Sequence, residues 1–485
     1  MYIGIDLGTS AVKLLLMNKD GKVIRTVSKE YPLIFPKEGW IEQNPDEWIE
    51  KSLEGLKEIV KDYENEIKAI SFSGQMHGSV FLDENDKVIR PALLWCDQRT
   101  SQQCEKINGH FGKDIIKLTG NIALTGFTAP KILWLKDEEI ENFNKVKKIM
   151  LPKDYLAFKL SGSYSTDVSD ASGMLLLDVE NRCWSKEVLN YLNISEEQLP
   201  KLYESYECVG TLKEDIRALL GINNTVKIVA GGGDQAVGAV GTGVVEDGIL
   251  SVALGTSGVV FANSSKYSAD SEARLHSFCH ANGGYHQMGV MLSAGASLKW
   301  WIENINNTKD YQKYVEEEAQ NSNIENNLYF LPYLTGERTP HNNPNIRGEF
   351  VGLSIQNTRG DMTRGVIEGI SFALRDSLEL IREQGIEVKK IRVSGGGARS
   401  PFWKQLLADV FNSQVEIINS VEGPAYGAAI LAAVGDGAYK DVDSACKEMI
   451  KAVESYQPNK SNIEIYNRKY KKFKSLYPII KAIYE

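Results

Sequence analysis

A tetrapeptide that occurs twice constrains this chain more than any other feature of it. Leu7-Gly8-Thr9-Ser10 returns unchanged as Leu254-Gly255-Thr256-Ser257. Each copy comes after an apolar run, Tyr2 to Ile5 in one case and Ile249 to Leu254 in the other. Each leads into a second strand-like run, Ala11 to Met17 and Val259 to Ala262. Both therefore read as strand, tight glycine turn, strand. The tip of such a turn presents backbone N–H groups and hydroxyls, which suits a cluster of anionic oxygens. Two tips from two halves of a chain could grip a polyphosphate from both sides. The copies differ at one informative place, where Asp6 stands opposite Ala253 of the second copy. A carboxylate beside a phosphate loop repels the phosphate unless a cation intervenes, so Asp6 is a candidate Mg²⁺ partner through water. Lys13, on the outgoing strand, reads either as positive charge for the site or as a solvated strand lysine.

Three further stretches put chemistry at the ends of strands, where α/β folds place ligands. The strand Ile67 to Phe72 ends in Ser73-Gly74-Gln75-Met76-His77-Gly78. His77 is either a buried, hydrogen-bonded histidine or a neutral imidazole that exchanges hydrogen bonds with a hydroxylated ligand. The strand Val226 to Ala230 runs into Gly231-Gly232-Gly233 and then Asp234-Gln235. Asp234 is either a helix N-cap or a functional acid. The strand Ile391 to Ser394 ends in Gly395-Gly396-Gly397-Ala398, before a helix opened by Pro401. Glycines there let a flat base or a ribose approach the backbone. No G-x-x-x-x-G-K-[ST] segment occurs, so the P-loop route to a nucleoside triphosphate is absent.

The paired bends resemble the phosphate loops of the actin, Hsp70 and sugar-kinase superfamily. Gly74 to Gly78, Leu93-Leu94-Trp95-Cys96-Asp97-Gln98-Arg99, Gly126 to Leu135, Leu151 to Tyr155, Thr166 to Gly173, Gly231 to Ala236 and Tyr329 to Pro344 resemble the FGGY family of carbohydrate kinases, and within it the branch that acts on xylulose. The resemblance covers essentially the whole chain. It implies two ribonuclease-H-like (actin-like ATPase) α/β domains around a central cleft, residues 1–245 and 246–485. It implies transfer of the ATP γ-phosphoryl group, with Mg²⁺, to a ketopentose, D-xylulose first. Another ketose, a sugar alcohol, or an ATP-driven conformational protein are the alternatives. By resemblance Asp234 is the catalytic base, and Met76, His77, Trp95, Asp97 and Gln235 face the sugar. Gly8, Thr9, Ser10, Lys13, Gly255, Thr256 and Ser257 take the phosphates, and Trp300, Gly396, Gly397 and Ala398 the adenosine. For Asp97 and Arg99 a structural ion pair is the competing reading. Two positions depart from the family pattern, with Cys96 and Gln235 standing where asparagine is usual.

The remaining features are ordinary. The 485 residues carry a net charge of −9, which gives no general attraction for nucleic acid or an anionic membrane. The six cysteines form no CxxC pair, the N-terminus enters a strand at once, and no apolar run is long enough to span a bilayer. A cytoplasmic protein is expected, with a homodimer left open. His276, His280 and His286 lack metal-site spacing and read as strand and turn histidines. Asp167 and Asp170 read as helix and turn caps. The basic run Arg468 to Lys474 reads as the solvated face of a helix.

Overall fold

The computed structural model describes residues 1–419 and 422–484. The repeated tetrapeptide marks a repeat of whole sheets. In the first, strands lie in the order Cys208–Thr211, Lys227–Val229, Ala69–Gly74, Tyr2–Leu7, Ala11–Met17, Val23–Glu30, and the short Gly232–Gly233 also pairs with Ala69–Gly74. Tyr2–Leu7 runs antiparallel to Ala11–Met17 and parallel to Ala69–Gly74. The second sheet repeats this pattern: Ile249–Leu254 is antiparallel to Gly258–Ser264 and parallel to Lys390–Gly395. Gln414–Ile418 and Ala452–Tyr456 extend it on one side, Tyr285–Met291 and His276–Cys279 on the other. The first strands of both sheets are apolar on both faces because helices cover both.

Helix signals in the sequence land where capping chemistry puts them. Asn44 caps Pro45–Ile59, Asp167 caps Val168–Ala171, and Ser400 caps Pro401–Phe411. A short helix begins at Gly295 and widens after Lys299 into a π-helical stretch, Trp300–Ile305. A second π-helical stretch spans Gln312–Ala319. Such wide turns cluster at functional sites.

Two helices join the halves. Asp234–Gly241 and Gly423–Asp436 pack so closely that a Cβ on Gly427 would lie 1.9 Å from the carbonyl oxygen of Val237. The second of them, late in the chain, lies against the first sheet: its Ala425 and Ala429 backbones crowd Gly4 of the opening strand. Their small side chains form one buried cluster with Tyr2, Leu15, Met17, Ala69 and Val229. Residues 76 to 199 make a further apolar layer, in which Phe127, Ile132 and Leu176 meet Phe261, Phe278 and Met288 of the second sheet. The terminal helix Lys460–Lys481 packs on the second half, burying Tyr466, Tyr470 and Phe473 as the spacing predicts. Its basic run is not wholly solvated, however. Lys469 turns inward to pair with Glu368, a carboxylate buried beside Arg364. No described cysteine is disulfide-bonded, and no described helix is long and apolar enough to cross a membrane.

Candidate functional site

The register of three parallel strands builds the site. Leu7, Gly74 and Gly233 lie abreast at the carboxyl ends of neighbouring strands, one step beyond Asp6, Ser73 and Gly232. The segments leaving these strand ends are thereby brought together: Gly8-Thr9-Ser10, Gln75-Met76-His77 and Asp234-Gln235. Neighbouring strands are about 4.8 Å apart, so the first bend and Asp234 are separated by about two strand spacings. The second half repeats the device. Leu254 and Gly395 lie abreast, and beyond them come Gly255-Thr256-Ser257 and Gly396-Gly397-Ala398.

Both bends turn their carbonyls into the protein. The Tyr31 hydroxyl donates to Gly8 O (2.5 Å), the Gln43 side chain to Thr9 O (2.6 Å) and the Tyr31 amide to Ser10 O (3.2 Å). In the second bend the Gly295 and Ala296 amides donate to Gly255 O (2.8 Å) and Thr256 O (3.1 Å). In a trans peptide the next N–H points opposite to the carbonyl. The amides of Thr9, Ser10, Thr256 and Ser257 therefore face away from those donors, as an anion cradle requires.

A cavity of about 950 Å³ opens beside the second bend, lined among others by Gly255, Thr256, Lys299, Trp300, Gln312, Gly396, Gly397 and Trp403. Its size and glycine-and-aromatic wall suit a nucleoside. Ser257 and Ala398 adjoin that lining, while Gly8, Thr9, Ser10 and Lys13 stand on the opposite, first-sheet side. Lys13 pairs across to Glu422, at the start of the helix that returns to the first sheet.

His77 is fixed from every side. Its φ of +69° is a left-handed conformation that is uncommon for a residue other than glycine. Lys131 Nζ (2.8 Å) and the Thr128 hydroxyl (3.0 Å) both donate to the His77 carbonyl. The ring nitrogen Nδ1 lies 2.6 Å from the Gly173 carbonyl, which can only accept, so Nδ1 carries the proton and Nε2 is left as an acceptor. Burial lowers the imidazole's pKa to about 3, so the ring is neutral. Phe127 packs edge-on against it at 4.7 Å. Met76 lies against Gly233, where an added Cβ would come within 2.9 Å of its side chain.

Asp234 does not cap its helix; Gly233 holds the N-cap position, and Asp234 stands in the first turn. The carboxylate is half-buried. Burial pushes its pKa up to about 7, and the nearby Asp6 charge adds to the rise. Burial raises Asp6 as well. The Gln235 side-chain amide donates to Asp234 Oδ1 at 3.4 Å.

At three places the structure corrects or refines the sequence expectation. Asp97 is fully buried: Oδ2 accepts from the Ile41 amide (2.7 Å) and both oxygens accept from Arg99. It is the structural half of a buried ion pair with Arg99, which lies under Trp40 and Trp134 and pairs with Glu42 (2.8 Å) as well. Trp95 is 48% exposed, and its indole N–H donates to Thr9 Oγ1 (3.0 Å), which ties it to the first bend. His276, His280 and His286 sit in an aromatic cluster with Phe261 and Phe278, and no described group of three or more ligand side chains could hold a metal. Lys131 and Gly173 hold the His77 loop in place, and the Ser169 hydroxyl accepts from the Gly233 amide (3.2 Å), yet no sequence signal of their own marks these residues. Only their place inside stretches resembling the family does so.

Comparison with known proteins agrees with this geometry. Residues 1–241 match the model of the FGGY family of carbohydrate kinases, N-terminal domain, and residues 250–435 that of the C-terminal domain. The chain is 42% identical to the xylulose kinase of Lactococcus lactis, over 98% of this chain and 96% of that one. It is 39% identical to the xylulose kinase of Bacillus subtilis, over 99% and 96%. The crystal structure of ligand-bound xylulose kinase from Lactobacillus acidophilus superposes with a TM-score of 0.94 at 29% identity, covering 99% of this chain and 98% of that one. With both halves of its repeat matched, the chain belongs to the FGGY family of carbohydrate kinases.

Proposed function

We propose that this protein transfers the γ-phosphoryl group of ATP to a hydroxyl of D-xylulose, giving D-xylulose 5-phosphate and ADP. The observation that carries the reading is the alignment of Leu7, Gly74 and Gly233, which brings a phosphate bend, a hydroxyl-binding loop and an acid to one end of a sheet. The names of the relatives supply the sugar.

Each residue has a role its environment allows. The sugar rests on Met76, with Nε2 of His77 accepting from one of its hydroxyls. Asp234 accepts the proton of the attacking hydroxyl as its oxygen bonds to the γ-phosphorus and ADP departs. A base with a pKa near 7 suits a site working near neutrality. Gln235 orients the carboxylate through its amide. The amides and hydroxyls of Gly8, Thr9, Ser10, Gly255, Thr256 and Ser257 hold phosphate oxygens, and Trp300, Gly396, Gly397 and Ala398 hold adenosine. Catalysis of this kind is mostly positioning and charge stabilisation. The donor set fits Mg²⁺: two half-buried carboxylates, Asp6 and Asp234, stand near one another, without the full cage that a protein-bound metal needs. Mg²⁺ held through water at Asp6 would offset phosphate charge. Closure of the two halves about the Asp234–Gly241 and Gly423–Asp436 pair would exclude water.

The test is ADP release with a panel of pentuloses, hexuloses and pentitols. D-xylulose should stimulate it most. Stimulation by another sugar alone would move the substrate, and stimulation by polypeptide but no sugar would overturn the reading.

A further inference from the structure

Beneath Asp234 lies a polar cluster that the reaction does not use. Lys153 is fully buried among three acids: its Nζ lies 2.5 Å from Asp154 Oδ1, 2.9 Å from Asp167 Oδ1 and 3.7 Å from Asp170 Oδ2. Asp167 Oδ2 accepts from the Ser169 amide (2.8 Å), the Ser169 hydroxyl (2.5 Å) and the Ser205 hydroxyl (2.7 Å). A hydroxyl has one proton. With that of Ser169 given to Asp167, its lone pair is directed to the Gly233 amide, which donates to it at 3.2 Å. Gly233 is the residue before Asp234.

We infer that Ser169 is a positioning residue for Asp234, the last link of a fixed chain running from Lys153 through Asp167 and Ser169 to the Gly233 amide. The Gly232–Gly233 strand end is short: it pairs with Ser73 and Gly74, and the preceding Gly231 amide donates to Ser205 O (2.9 Å). A hydrogen bond to a carboxylate-anchored hydroxyl stiffens the point from which the Asp234 side chain departs. Space has been cleared for it: a Cβ on Gly232 would lie 2.6 Å from Ser169 Oγ. The anchor reaches the sugar loop too, since a Cβ on Gly74 would lie 2.8 Å from Lys153 Cβ. Further along the same segment, the Gly173 carbonyl fixes His77. One buried segment thus sets both the base and the imidazole opposite it.

Charge counting supports a structural rather than a ligand-binding cluster. One ammonium cannot neutralise three buried carboxylates, and Asp170, whose two oxygens have no hydrogen-bond partner among the described residues, is the least stabilised as an anion. Burial and the neighbouring carboxylates hold its pKa well above the usual range.

The inference rests on Asp234 being the base, and the experiment separates the two. kcat and KM for D-xylulose and ATP are measured in Ser169→Ala, Asp234→Asn and the double variant, with thermal melting of each. Ser169→Ala should lower kcat by about 10- to 100-fold, the range expected for misplacing a reacting group by up to an ångström, with both KM values within about threefold of the parent. On the Asp234→Asn background it should cost less than about twofold, because a residue acting through the base has nothing left to position. Ser169→Ala at parental kcat, a loss carried by KM, or a full additive loss in the double variant would overturn the inference. An active Asp234→Asn would overturn the base assignment instead. If Ser169→Ala fails to fold, Ser169→Cys, similar in size but a weak acceptor, is read by the same criteria.

Discussion

Replacing Gly173 by alanine tests whether His77 is placed as tightly as the site requires. An alanine Cβ at this position would lie 2.6 Å from His77 Nδ1, 2.7 Å from Cε1 and 3.0 Å from Met76 Cε. Ordinary contact begins near 3.4 Å, so the imidazole must retreat by about 0.8 Å. It cannot do so freely, because Lys131 and Thr128 hold its carbonyl and Phe127 packs its ring. The same movement stretches the 2.6 Å bond from Nδ1 to the Gly173 carbonyl, which sets the tautomer. Overpacking of this kind costs about 1–3 kcal/mol of stability. A displacement near 1 Å at a reacting centre costs about 100-fold in rate. Gly173→Ala should therefore reduce kcat/KM for D-xylulose by about 30- to 100-fold, measured as sugar-dependent ADP release. KM for ATP should change little, because the nucleoside cavity contains neither Gly173 nor His77. A variant with parental kcat/KM for the sugar would refute the placement of His77 against the substrate.

Asp97→Ala removes one of the two carboxylates paired with the buried Arg99 and leaves the other, Glu42, shared with Arg90, so the melting transition should drop by an amount corresponding to about 3 kcal/mol, the low end of the range for breaking a buried pair; a normal melt with a raised sugar KM would restore Asp97 to the binding site. kcat/KM should fall about tenfold per pH unit below pH 7 as Asp234 takes up its proton, and a flat profile down to pH 5 would contradict the raised pKa. Stability moves differently over that range. The pKa of His77 is lowered to about 3 and that of His280 to about 4, so their contribution is intact above the unfolded value near 6.5 and is lost as the pH falls below it. Asp234, raised in the fold, contributes with the opposite sign: its share is present below the unfolded value near 3.8 and lost as the pH rises through 7.

The site is most legible in the sequence where a backbone pattern carries it. The repeated tetrapeptide predicts two hairpins, and the glycines after Phe72, Ala230 and Ser394 predict loops at strand ends, because each depends on local geometry alone. Side-chain destinations are harder to read. Asp97 and Trp95 share a single loop, yet one is fully buried against Arg99 and the other is half-exposed. Nothing in their spacing decides which, since the partner of Asp97 is a main-chain amide 56 residues earlier. Ser169 and Gly173 are invisible for the same reason: their roles are set by residues 64 and 96 positions away. The helix Gly423–Asp436 reads only as small and apolar, and such a surface fits either sheet. What assigns it to the first is the missing side chain of Gly4, which lets Ala425 and Ala429 approach. Lys469 belongs to a basic run that looks solvated throughout until Glu368 claims it.

The most direct measurement is made on Asp234→Ala, in which ATP binding is monitored by titration and phosphoryl transfer by ADP release in the presence of D-xylulose. The nucleoside cavity lies on the other half of the molecule and is untouched, so ATP should bind as it does to the parent. Transfer should fall by about 100- to 10,000-fold, the range that a positioned general base supplies. Transfer within a few-fold of the parent, with ATP bound normally, would contradict the assignment of Asp234 as the group that takes the hydroxyl's proton.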